Sequence, residues 1–427
     1  MTDTIIKSIK GRRVWDSRGR PTVEAEVVLA DGAIGRAIAP AGASTGSGEA
    51  VDLRDGGHAF GGFDVSRAVG SVNGEIAAKL AGRDADDQKG VDETLIALDG
   101  TANKGRLGGN ALVATSMAVL HARAAAAGLP LWKYLAGGRS VRMPLPEIQI
   151  FGGGAHAAKR VDIQDFMIMA PAATSFAEAI DWTAEVYRAA GAFMKQTGRL
   201  QGVADEGGYW PAFKSNEEAL DALVTAIETA GFKPGAEVAI SLDVAASEFG
   251  RNGEYTLALD GQKLDTTEMI EMLGRWIKTY PIVSIEDPVA EDDQEGFVAF
   301  TKAYGDRCQV IGDDFFVTNA QRVRNGAAAS AATAVLIKLN QAGTVSETKA
   351  ALDAGREAGF GTIVSARSGE TEDLTIAHLA VGWDAGQFKV GSFSRSERMA
   401  KWNECLRIEE AMGASATFAA GKALAFR

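Results

Sequence analysis

Cysteine is nearly missing from this chain of 427 residues, which has only Cys308 and Cys405. Two thiols cannot build a disulfide framework, so the sequence points to a reducing compartment. Positive charge is also short. The formal net charge of −12 argues against a nucleic-acid or anionic-membrane partner, although a local basic pocket can still hold an anion. No uncharged apolar run reaches membrane-spanning length. The opening Met1-Thr2-Asp3-Thr4 has no basic stretch leading into an apolar one, so no signal peptide is expected. Together these absences imply a cytoplasmic protein. Short-period repeats, low-complexity tracts and dinucleotide-binding glycines after the first strand are lacking too. What remains is the composition of a soluble globular enzyme, 46% hydrophobic and 23% charged, long enough for two or more domains.

The most informative stretch is Ile282-Val283-Ser284-Ile285-Glu286-Asp287-Pro288, an apolar strand that stops in two carboxylates and a proline. A strand so short cannot offset the burial of an ionised Glu286 unless something positive meets it. The design recurs. Val238–Leu242 ends in Asp243, Gln309–Gly312 ends in Asp313 and Asp314, and Ala334–Ile337 runs into Lys338. Steps of 43, 27 and 25 residues separate Asp243, Glu286, Asp313 and Lys338, enough for one crossover helix each and an insertion in the first gap. In a parallel barrel the carboxyl ends of the strands open on one face, where active sites sit. Three carboxylates converging there suit a hard divalent cation, most simply Mg²⁺. The plainer alternative is that each acid caps the helix that follows it. Lys338 has three readings at this point: a counter-ion, a Schiff-base nucleophile, or a general base whose pKa is lowered by burial and the cation.

In chain order, the segment from Ile5 to about Ile38 alternates as strands do, with Asp31-Gly32 as a hairpin turn. Pro40–Gly48 is rich in small residues and reads as a mobile loop in which Ser44 and Thr45 offer oxygens. Val65 to Leu135 reads as helical, most clearly over Asn110–Ala127. Glu147–Phe151 and Phe166–Met169 are expected to face each other as strands across the loop Gly152–Arg160. Strand–helix alternation then runs from Val238 to Val390, with a last helix over Ser396–Met412. The fold class is α/β: an α+β amino-terminal capping domain over 1–138 and an α/β barrel over 139–427.

Other candidates have weaker signals. Asp205-Glu206 lies in a glycine-flanked loop that would otherwise be a solvated turn. His156, one of four histidines, lies in a flexible loop, where such a residue usually faces solvent. Arg367 and Ser368 follow a strand and suit a phosphate, with Lys389 a second cation on the next strand; surface ion pairs are the plainer reading.

Ordered motifs along nearly the whole chain resemble the enolase (phosphopyruvate hydratase) family. They are Asp16-Ser17-Arg18-Gly19 with Pro21-Thr22-Val23-Glu24, Gly42-Ala43-Ser44-Thr45-Gly46, Asp205-Glu206-Gly207-Gly208, Ser284–Pro288, Gly312-Asp313-Asp314 and Ser368–Asp373. The resemblance implies an enolase-type barrel with two Mg²⁺ ions, the first on Asp243, Glu286 and Asp313 and the second joined by Ser44 as its loop closes. It implies that Lys338 removes the α-proton, while Glu206, with Asp165 beside it, protonates the departing hydroxyl. His156, Gln164, Arg367, Ser368 and Lys389 would line a small phosphorylated carboxylic acid. Arg12 with Glu410, and Glu24 with Arg407, look like ion pairs across a homodimer. Four departures stand out. The family's histidine before Arg-Ser is Ala366, its glutamate is Asp165, its asparagine pair is Lys159 and Arg160, and its serine before Gly42 is Ala41. They cluster around the substrate, so a more anionic or larger ligand is expected to meet Lys159 and Arg160.

The reading is therefore a Mg²⁺-dependent lyase dehydrating 2-phosphoglycerate, or a close analogue, to phosphoenolpyruvate. One rival is a paralogous transferase of phosphonate biosynthesis, similar to carboxyphosphonoenolpyruvate synthase. Another is a non-catalytic protein that retains the fold. Retention of the three acids, Lys338, Lys389 and Arg367 argues against the latter.

Overall fold

The structure is a computed structural model describing residues 4–426. Met1, Thr2 and Asp3 of the opening segment, and Arg427, lie outside the described residues. Strands β1 (Ile6–Trp15), β2 (Pro21–Leu29) and β3 (Ile34–Ile38) form an antiparallel sheet in the order β1-β2-β3. Val23, Ala25, Val27 and Leu29 alternate on β2 and are wholly buried, as period-two patterning requires. The helix Gly109–Ala126 packs on β2 and β3 and is buried nearly all round, which is why it is apolar rather than amphipathic.

The barrel uses β4 (Leu145–Gly152), β5 (Asp165–Met169), β6 (Ala239–Asp243) and, past a small hairpin sheet of β7 (Gly250–Arg251), β8 (Glu254–Leu257) and β9 (Gln262–Asp265), five further strands. These are β10 (Ile282–Glu286), β11 (Gln309–Gly312), β12 (Ala334–Ile337), β13 (Gly361–Ser365) and β14 (Gly386–Ser392). They close in the order β10-β11-β12-β13-β14-β4-β5-β6. The hairpin sheet fills the long first gap between the strand-end acids.

The barrel is not wholly parallel, since its first two strands face each other across the loop 152–160 as the sequence suggests. β5 runs antiparallel to both β4 and β6. A reversed strand presents its first residue where parallel strands present their last, so Asp165 joins the same rim. Register makes this concrete: Asp165 pairs with Asp243, and Asp243 with Glu286, across β5, β6 and β10. Ser365 pairs with Lys389 across β13 and β14.

The three acids are not helix caps. The helices Thr266–Thr279, Gln294–Tyr304 and Ala320–Ala328 are capped by Asp265, Asp293 and Asn319. Asp243, Glu286 and Asp313 are left free for another role. Cys308 and Cys405 are free and buried. Among the described residues no helix is long and apolar enough to cross a membrane.

Candidate active site

Buried charge gathers at the rim of the barrel around a cavity of about 30 Å³, lined by Ser44, His156, Gln164, Asp165, Glu206, Asp243, Asp313, Lys338, Ala366, Arg367, Ser368 and Lys389 among others. A volume of that size holds a water or two, so a substrate enters only if the loops over it move.

On one wall the acids meet lysines. Lys389 Nζ donates to Asp243 Oδ2 and to Glu286 Oε2, each at 2.8 Å. Lys338 Nζ pairs with Asp313 Oδ2. Gln164 Nε2 donates to Asp243 Oδ2 at 3.0 Å, and Gln341 Nε2 to Asp313 Oδ1 at 2.9 Å. The expected trio is thus divided between two lysines, and a tighter group of donor oxygens is Asp287, Asp313 and Asp314, within 4.8 Å of one another. Asp287 has a shaping role: its carboxylate accepts the backbone N–H of Asp313 at 2.9 Å and of Asp314 at 2.8 Å.

The electrostatics follow. Burial, then the charge of Asp243, pushes Glu286 well above the usual carboxylate range. Burial opposes ionisation of Asp313 too, but Lys338 outweighs it and holds Asp313 low. Of its three readings, Lys338 stands here as the counter-ion of Asp313. Burial pulls the lysine's pKa down, yet the charges of Asp313 and Glu286 together outweigh it, and the protein alone raises it. The donor set nonetheless fits a hard cation. All the candidate ligands are carboxylate oxygens, and Glu286 Oε1 is buried with no hydrogen-bond partner.

The facing wall is built on an imidazole. His156 Nδ1 lies 3.0 Å from Asp165 Oδ1, and Nε2 3.7 Å from Glu206 Oε1. Far from facing solvent, His156 is buried. Burial works against its charge, but Glu206 and Asp165 outweigh that and raise it to about 9. The same pairing holds Asp165 below the usual carboxylate range against the cost of burial. Asp165 thus reaches Glu206 through His156.

Arg367 and Lys389 are buried rather than surface pairs. Arg367 Nη1 donates to Glu49 Oε2 at 2.9 Å and Asn340 Oδ1 at 2.8 Å, and Nη2 to the Ser44 carbonyl at 2.9 Å. Gly42 permits this approach, since a Cβ there would collide with the guanidinium. Ser368 Oγ lies 3.5 Å from Arg18 Nη1. Ser44 Oγ donates to Glu248 Oε1 at 2.8 Å.

Lys159 and Arg160 are exposed, and neither lines the cavity. Lys159 Nζ instead pairs with Glu248 Oε2 at 3.2 Å, outside the rim, so it adds no free charge to the substrate wall. Of the expected intersubunit pairs, Arg12 meets Glu24 and Glu26 of its own chain, and Arg407 meets Glu404.

Sequence reasoning passed over Glu49, Gln149, Glu248, Asn340 and Gln341. Glu147 and Gln149 had a signal: two polar residues at period two inside an apolar strand, both wholly buried. Glu49, which reaches Arg367 from 318 positions away, had none.

Fold and cavity together define a class, an α/β barrel with buried ionisable groups around one cavity at its rim. Comparison with known proteins makes it specific. Residues 140–426 match the enolase C-terminal TIM barrel domain, and residues 6–135 the enolase N-terminal domain. The chain is 49% identical over 416 residues to Enolase 1 of Desulfitobacterium hafniense (strain Y51), covering 97% of this chain and 95% of that protein. The chain belongs to the enolase family.

Proposed function

We propose that this protein reversibly dehydrates 2-phosphoglycerate to phosphoenolpyruvate with Mg²⁺. The observation that carries the reading is the facing of Lys338, beside the strand-end acids, and the His156–Glu206–Asp165 group across one cavity. Asp243, Glu286 and Asp313 are the residues to hold the first ion, and Ser44, once released from Glu248, is the residue to meet a second. Mg²⁺ bound there supplies positive charge that stabilises an enolate.

The chain's own groups account for the proton traffic. Lys338 takes the proton α to the carboxylate. The electron pair left behind forms the C=C bond as the β C–O bond breaks, and the departing hydroxide takes a proton from Glu206. Pairing with Asp313 keeps Lys338 charged, so its release from that carboxylate is a condition of its acting as base. Arg367, Ser368, Lys389, Gln164 and His156 bind the phosphate and carboxylate. For Arg367 that means exchanging Glu49 for substrate oxygens.

The partners follow from this reading: a small phosphorylated acid, and a second copy of the chain through the faces bearing Arg12 and Arg407, checked by sedimentation. The test of function is the appearance of enol-phosphate absorbance from 2-phosphoglycerate with Mg²⁺, and its loss with chelator. No turnover on that substrate overturns the reading.

The transferase reading is favoured by one observation. Ala245 and Ala366 line part of the cavity wall with small side chains. Ala366→His separates the two, raising turnover of 2-phosphoglycerate if the hydratase reading holds.

A further inference from the structure

Gln149 is a neutral, wholly buried side chain on β4 that no step above uses. Its Nε2 donates to Asp165 Oδ1, and its Oε1 accepts the backbone N–H of Gly208 at 2.8 Å. Asp165 starts β5, and Gly208 closes the turn that carries Glu206, where the Ala204 N–H meets the Gly208 carbonyl at 2.7 Å. One rigid amide therefore joins Asp165 to the loop of Glu206. Space is made for it: a Cβ on Gly208 would collide with Gln149 Oε1. The pair also fits in length. The short aspartate is met by a long amide, so the carboxylate stays 3.0 Å from His156 Nδ1.

We propose that Gln149 is the positioning residue of the acid wall, fixing Asp165 and the Glu206 turn in one geometry and making no contact with Lys338 or its partner Asp313. An amide suits the task because it bonds a carboxylate and an N–H at once with no charge of its own. A carboxylate in its place would face Asp165 with like charge, and a shorter amide would not span both partners. The inference rests on the dehydration reading, because proton removal and hydroxide loss must be separable steps on opposite walls.

The experiment compares Gln149→Met, close in volume and without a hydrogen-bond donor, with the unmodified protein in Mg²⁺. Dehydration of 2-phosphoglycerate is expected to fall by on the order of 100-fold, as for a misplacement of about 1 Å. Exchange of the substrate's α-hydrogen with deuterated solvent should stay within about threefold, because Lys338 is undisturbed. Gln149→Asn alone should also lose dehydration, and combining it with Asp165→Glu, which restores the summed reach, should recover about tenfold. Equal loss of exchange and dehydration, or dehydration within about threefold of normal, overturns the proposal. A separate readout needs no substrate: hydrogen exchange of the Gly208 amide should speed up about tenfold or more in Gln149→Met. Unchanged exchange at Gly208 refutes the bridge. If the unmodified protein leaves 2-phosphoglycerate untouched while Gly208 responds, it is the dehydration reading that fails.

Discussion

The two walls of the cavity satisfy buried charge in different ways. On one, Asp243 and Glu286 share Lys389 while Asp313 takes Lys338, ion by ion. On the other, His156 lies between Asp165 and Glu206, with Gln149 behind Asp165, and Lys389 Nζ, 3.7 Å from Asp165 Oδ2, joins the two groups. The first arrangement can be exchanged for a divalent ion, since Glu286 keeps a bare buried oxygen. The second is held by an imidazole between two carboxylates and by an amide, its donor atoms also gathered within 4.8 Å of one another. The contrast teaches that one barrel rim can satisfy some buried acids with lysines and others with an imidazole and an amide.

The largest expected effect lies on the first wall. Glu286→Gln removes a candidate ligand, so Mg²⁺ affinity by calorimetry should weaken by on the order of 100-fold or more. Unchanged affinity would move the metal elsewhere. Next, Mg²⁺ should raise the melting temperature of the unmodified protein by mass action and leave Glu286→Gln almost unmoved, read by scanning calorimetry.

On the second wall the signature is in pH. His156 is raised to about 9 from an ordinary 6.5, so the stability it contributes is complete below pH 6.5 and lost as pH climbs through 9. Melting temperature should fall over that window in the unmodified protein, and fall less in His156→Gln. Parallel curves would refute the imidazole's role. The smallest effect is expected at Lys159, whose pair with Glu248 is largely solvated. Lys159→Ala should change the melting temperature by less than about 2 °C and turnover by less than about twofold.

Much of the fold was legible because its signals are local. The acids at strand ends stood out, since a charge after a short apolar run has no cheap burial. The helix Ser396–Met412 and the insertion after Asp243 were legible in the same way. The antiparallel pairing of β5 with β6 was not, because period-two alternation reads alike in either direction. Nor were Glu49 and Glu248, which come to Arg367 and Ser44 from 318 and 204 residues away. The pair of Lys159 with Glu248 lacked a local signal for a related reason, its partner being remote in sequence.

The central claim is that base and acid act from separate walls. Deuterium exchange at the α-carbon of 2-phosphoglycerate, measured beside dehydration in Lys338→Ala and Glu206→Gln with Mg²⁺, tests it most directly. Lys338→Ala should lose both, by roughly 10²–10⁴-fold, while Glu206→Gln keeps exchange and loses dehydration. Exchange that survives in Lys338→Ala, or disappears in Glu206→Gln, would contradict it.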